Sequence, residues 1–250
     1  MENIEVGKTV WTGRRRHRKH PAMPHTRRVL LASLIATPAL ASAERRLVPR
    51  PGAAPVPYRA RLLTPPTARP VLLVSLGDAE FRLPSWYGQA GIETRLRAAG
   101  RDLLLVGFEG ITGTGVRQRL GALLGFDNAG APRVLGIETL AALDAQISTE
   151  QRETQGHLVS TEAGLRLTMR QRTITRGRAS NLEWRTAFTW TGDGIPQAAA
   201  TPAGAPEPRL RIDAARAAIG GWLALAPRTD LTRAPFEETG LYAVGLIAAP

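Results

Sequence analysis

The chain of 250 residues contains no cysteine. That excludes disulfides, a thiol nucleophile, thiolate-held iron–sulfur clusters, c-type haem attachment and a lipid-modified N-terminal cysteine, so a lipoprotein is not expected. Lysine is almost as scarce. Lys8 and Lys19 are the two in the chain, and without lysine after residue 43 the remainder has no Walker A loop, pyridoxal Schiff base or lysine general base. Of the four histidines, His17, His20 and His25 fall in the same N-terminal stretch. His157 stands alone beyond it, and one imidazole does not make a multi-histidine metal site. Aromatic residues are 5% of the chain, too few for the aromatic girdles of an outer-membrane barrel. We expect neither metal nor cofactor.

The most informative segment that is present runs from Met23 to Ala43. Arg27 and Arg28 lead into an uncharged stretch from Val29 that ends in the small residues Ala41, Ser42 and Ala43, the three-part layout of an export signal with cleavage after Ala43. The apolar run is shorter than the ~20 residues that cross a bilayer. It also contains Pro38 and meets Glu44, Arg45 and Arg46, so a transmembrane anchor is not expected. Thr26-Arg27-Arg28-Val29-Leu30-Leu31 resembles the twin-arginine (Tat) signal of bacteria, with Leu30 where that pattern usually has Phe. An ordinary Sec signal is the alternative. Either route implies a periplasmic or secreted protein.

Residues 1–22 hold the basic run Arg14 to His20. It reads as an extended basic N-terminus, or as sequence upstream of a start at Met23, rather than as a nucleic-acid patch. The first 43 residues carry eight Lys or Arg against two acids, half of the formal +12. The remainder, with 25 Arg and 19 acids, is only mildly basic, and nucleic acid is not an expected partner.

Length after residue 43 suits one domain. Seven prolines between Pro49 and Pro70 predict a linker or extended arm over 44–70, and a Pro/Ala-rich stretch at 195–208 predicts a long loop within a domain spanning 71–250. Between them the pattern has period two. Leu182, Trp184, Thr186, Phe188 and Trp190 share one strand face. Strands at about 92–97, 103–108, 116–126 and 133–140 predict a meander of hairpins, with turns over Ala98–Asp102 and Asp127–Gly130. Further strands are expected at 71–76, 80–83 and 165–175. Ile137, Leu140, Leu143 and Ile147 also suit a helix running towards Arg152. A second helix is expected from a cap at Asp213 to Leu225, burying Ile212, Ala215, Ile219, Trp222 and Ala226, although Gly220 and Gly221 each weaken it by about 1 kcal/mol. The expected fold class is mainly β: a single antiparallel β-barrel or β-sandwich domain with one or two short helices.

Four groups of residues are candidates for function. Trp86 and Tyr87, after a short strand, are binding anchors or a plug for the sheet core. Arg166, Arg170, Arg172, Arg176 and Arg178 form a positive stripe for an anionic partner, or simply a solvated strand face. Asp78 with Glu80, and Glu109 with Asp127, are the carboxylates that acid–base hydrolysis of the glycosidase type would use, and water-exposed turn residues otherwise. Ser160 near His157 lacks the G-x-S-x-G elbow, and Gly110–Gly115 lacks the last glycine of a dinucleotide loop and reads as a tight turn. No catalytic residue can be assigned. The expected function is a non-catalytic exported module that binds an apolar or anionic ligand or an envelope protein, with a carboxylate-dependent hydrolase as the alternative.

Overall fold

A computed structural model describes residues 45–85, 89–113, 116–145 and 150–225. The segment assigned to the export signal, with Arg27, Arg28, Ala41 and Ala43, lies outside the described residues, as do Trp86, Tyr87 and Ala226. Twelve strands and one helix follow each other in the order β1 (Arg46–Leu47), β2 (Val56–Leu63), β3 (Val71–Leu76), β4 (Ala79–Pro84), β5 (Gly91–Ala98), β6 (Arg101–Gly113), β7 (Val116–Phe126), β8 (Pro132–Asp144), β9 (Glu150–Thr161), β10 (Gly164–Thr175), β11 (Arg178–Trp190), β12 (Pro196–Ala198) and α1 (Glu207–Leu225). The strands make two antiparallel sheets, β1-β2-β3-β4 and β12-β11-β10-β9-β8-β7-β6-β5. Neither closes into a barrel, so of the two mainly-β architectures expected the sandwich is the one found.

The run Leu103-Leu104-Leu105-Val106 explains the layering. All four side chains are buried, and because successive strand side chains point to opposite faces, β6 is covered on both. On one face Leu104, Val106 and Phe108 join Leu120, Ala122 and Leu124 of β7 and Leu72, Val74 and Phe81 of the four-stranded sheet. On the other, Leu103 and Leu105 join Leu123, Leu158, Leu167, Met169, Trp184 and Phe188. The eight-stranded sheet therefore rolls until β5 and β9 approach. Where they meet, the Arg97 amide donates to Ser160 Oγ at 2.9 Å.

The roll is sharpest between β8 and β9, which pair only over Ala141–Asp144 and Arg152–Gln155. Gly156 is the next residue, and a Cβ there would lie 2.2 Å from the Thr139 carbonyl oxygen. Only glycine lets the two backbones pass so closely. Beyond that crossing β8 and β9 part, and α1 spans from β8 to β11.

Several expectations need correction. The stretch 44–70 is not a free linker, because it holds β1 and β2. Residues 58–63 contain no proline, so their amides can pair with β3. The Val48 amide donates to Asp102 Oδ2 at 2.7 Å and the Asp102 amide donates to the Val48 carbonyl at 2.8 Å, which ties the arm to β6. The helical reading fails over 137–144, which are part of strand β8, while Ile147 lies outside the described residues; the polar strand β9 that pairs with β8 was not anticipated. The 195–208 loop contains β12 and the start of α1. That helix begins at Glu207, just after Pro206, so Asp213 is not its cap.

Candidate functional site

The site is a cavity of about 580 Å³ between α1 and the rolled sheet. Leu123, Leu135, Ile137 and Phe188 supply its sheet wall, and Ile219, Gly220, Gly221 and Leu223 supply its helical wall. Ile195, Pro196 and Ala198–Ala200 line the side formed by β12 and the chain after it. The apolar face of α1 predicted from spacing is largely correct, since Ile212, Ala215 and Ile219 are buried. Gly220 and Gly221 break the periodicity where the cavity needs room. A Cβ at either meets nothing within 4 Å.

A charged network sits at one side of the cavity. Arg216 of α1 donates from Nε to Glu138 Oε1 at 2.6 Å and from Nη2 to Glu138 Oε2 at 2.9 Å, while its Nη1 donates to Asp213. Asp213 also accepts from Thr201 and, at 3.4 Å, from Arg209 Nε. Arg209 in turn donates to the Arg185 carbonyl at 3.1 Å, which pins α1 to β11. The Arg216 guanidinium lies 5.2 Å from the centroid of the Phe188 ring. Burial alone pulls its pKa down, but the charges and hydrogen bonds of Glu138 and Asp213 outweigh that and raise it above the ordinary arginine value. Arg216 is thus a fixed cation with all three nitrogens engaged.

The turn between β11 and β12 makes part of the rim. Asn128 anchors it, donating from its amide nitrogen to the Asp193 carbonyl at 2.8 Å. Arg101 donates to the Gly194 carbonyl at 3.3 Å and to Asn128 Oδ1 at 2.8 Å, and stacks 4.8 Å from the centroid of the Trp190 ring. Burial lowers the pKa of Arg101. Thr191, Asp193 and Gln197 line the cavity from this side, and Asp193 is exposed.

The residues singled out from the sequence are dispersed. Arg166, Arg170 and Arg172 lie on the outer face of β10, away from the cavity. In register Arg170 stands between Gln155 and Glu183, and Arg172 between Glu153 and Asn181. Glu183 accepts from Arg170 Nε at 2.9 Å and from Arg185 Nη2 at 3.0 Å, and those bonds lower its pKa. The stripe is therefore partly neutralised by its own neighbours, although Arg166, Arg170, Arg185 and His157 still share a polar depression.

The paired carboxylates are not brought together. Glu109 stands opposite Arg119 on β7, whereas Asp127 follows the end of that strand, about 26 Å away at ~3.3 Å per residue. Glycoside-cleaving carboxyl pairs lie about 5–9.5 Å apart. Asp127 instead holds its own turn, accepting from the Ala131 amide at 2.9 Å and from Arg133. Asp78 and Glu80 belong to the β3–β4 hairpin, where Glu80 pairs with Arg82 at 3.4 Å. Gly110–Gly113 continue strand β6 rather than turning, and residues 114–115 lie outside the described residues.

Sequence reasoning missed Glu138 and Arg216 as partners because they stand 78 positions apart. The signal that could have found them is local: Arg216 falls one residue after Ala215 on a helix whose apolar face was already assigned, at the border of its buried stripe. No family model, curated protein or solved structure matches the chain. Among the described residues no helix is long and apolar enough to cross a membrane.

Proposed function

We propose that this is an exported, non-catalytic binding module, periplasmic or secreted, that holds the apolar part of a ligand in the cavity between α1 and the rolled sheet. The observation that carries this reading is the pairing of an apolar wall with two helical glycines that leave the space open. A pocket of this size, apolar with a few fixed polar groups, is the usual form of a small-molecule site. Filling it would have been simple: any residue but proline at 220 or 221 is better for the helix than glycine. The charged network supports a binding reading over a catalytic one, because each of Glu138, Asp213 and Arg216 is already committed to another.

The test uses an apolar fluorophore such as N-phenyl-1-naphthylamine. The purified protein is expected to give saturable enhancement of its emission. Gly220→Phe, which adds a large side chain at a cavity-lining position with no neighbour within 4 Å, is expected to weaken binding at least tenfold while the fold is retained. Absence of saturable binding by the unaltered protein, or unchanged affinity in Gly220→Phe, overturns the reading. Export is tested separately by fractionating a bacterial host and sequencing the N-terminus of the exported protein. Cleavage after Ala43 is expected, and an intact Met1 in the cytoplasmic fraction refutes it.

A further inference from the structure

Resting on that reading, we infer that the ligand is an amphiphile whose polar end is a cation: an alkylamine, a quaternary ammonium or a similarly basic apolar molecule. Among the described residues four charged ones line the cavity, Glu138, Asp193, Asp213 and Arg216. Three are carboxylates. The single guanidinium is already compensated, since Nε, Nη1 and Nη2 all donate to the oxygens of two carboxylates, Glu138 and Asp213. A second cation, Arg209, stands behind Asp213, so that the buried network of Glu138 and Asp213 against Arg216 and Arg209 is electrically balanced.

Asp193 is what remains. It is exposed on the rim, and no hydrogen bond or ion pair of its carboxylate is found among the described residues. Its backbone is nevertheless held in place, through the Asn128 amide at 2.8 Å and through Arg101 on the next residue's carbonyl at 3.3 Å. Arg101 is committed to that carbonyl, to Asn128 and to the Trp190 ring, and does not line the cavity. In the neighbouring wall Pro196 has no N–H, the Ala199 amide already donates to the Ala187 carbonyl at 2.8 Å, and the donors that remain on the Thr191 and Gln197 side chains are uncharged. Among the described residues, a ligand whose tail lies among Leu123, Ile137 and Ile219 meets one free carboxylate at the rim and no free cation in the wall.

This runs against the net charge of the protein, which is positive and taken alone would favour anions. The two explanations therefore predict opposite rankings. Dodecyltrimethylammonium, dodecyl maltoside and dodecyl sulfate, titrated below their micelle-forming concentrations by calorimetry, share a tail and differ in head charge. The ammonium is expected to bind about fivefold tighter than the maltoside at low salt, the size of one exposed charge pair, with the gap closing as salt is raised. Asp193→Asn is expected to abolish that gap while leaving maltoside affinity unchanged. Sulfate binding as tightly as the ammonium, or an ammonium preference that survives in Asp193→Asn, overturns the inference while leaving the binding reading intact. If none of the three binds saturably, the binding reading itself fails and the inference falls with it.

Discussion

Arg216 grips Glu138 with a two-pronged fork, Nε to Oε1 at 2.6 Å and Nη2 to Oε2 at 2.9 Å. Their side chains are 13% and 4% exposed, so this is a buried pair joining helix α1 to the middle of the large sheet. Removing a single partner of such a pair costs about 3–5 kcal/mol, because the other charge is stranded away from water. We expect Glu138→Leu and Arg216→Met each to lower stability by that order in urea titration. The double variant Glu138→Leu with Arg216→Met is expected to recover most of the loss. Additive losses would show that the two residues are not energetically coupled.

The charge state of Asp127 governs one step of the acid response. Desolvation raises its pKa, but hydrogen bonds from the Ala131 amide and Arg133 more than offset that, and the net shift is below 3.8, its ordinary value. A depressed carboxylate stabilises the fold above its unfolded-state pKa and loses that contribution as pH falls through the folded-state value. Asp127→Asn should therefore melt about 2–4 °C below the unaltered protein at neutral pH, the effect of losing about 1 kcal/mol. The difference should shrink only below about pH 4. A gap that is constant from pH 7 to pH 2 contradicts the assignment.

The meander could be read because its strands alternate and its turns carry their own chemistry. The hairpin loop Ala99-Gly100 falls within the turn predicted over 98–102, which is shorter than expected because Arg101 and Asp102 already belong to β6, the turn at Asp127–Gly130 stands where turn residues predicted it, and Trp184, Thr186 and Phe188 are buried on the expected face. Strand β9 was invisible because Glu150-Gln151-Arg152-Glu153-Thr154-Gln155 has no apolar alternation at all. It is held by two neighbouring strands rather than by its own pattern. The cavity was invisible for a different reason. It exists because β8 and β9 part beyond Gly156, and a glycine in a polar strand gives no hint that a carbonyl on another strand will lie against it. The arginine stripe on β10 could be placed on one face, but Glu183, which neutralises part of it, sits on a strand that the spacing alone could not register.

Two glycines offer opposite outcomes from the same substitution. At Gly156 a methyl group would lie 2.2 Å from the Thr139 carbonyl and 2.9 Å from Met169 Sδ, and the carbonyl belongs to a paired strand that cannot retreat. Gly156→Ala is expected to destabilise by more than about 2 kcal/mol, from overpacking against backbone. At Gly220 a methyl group meets nothing, and Gly220→Ala in the helix interior should stabilise by up to about 1 kcal/mol. Thermal melts of the two variants in parallel check both. A neutral Gly156→Ala would mean that β8 and β9 do not cross as described.

Two of the hairpins with two-residue loops place a poor residue where a better one is available. Ala98 pairs with Arg101 across Ala99-Gly100, and Thr175 pairs with Arg178 across Arg176-Gly177. In both loops both residues have positive φ, 50° and 74° in the first and 49° and 78° in the second, the signature of a type I′ turn. Gly100 and Gly177 adopt it without strain, whereas Ala99 and Arg176 carry a Cβ into the left-handed region. Asparagine tolerates that region best among residues with side chains. Ala99→Asn and Arg176→Asn are each expected to raise stability by about 0.5–1 kcal/mol, additively, because the turns lie on different hairpins and share no partner. Denaturant midpoints of the two single variants and the double variant measure this directly. A loss of stability in either single variant would show that the loop it changes is not a type I′ turn.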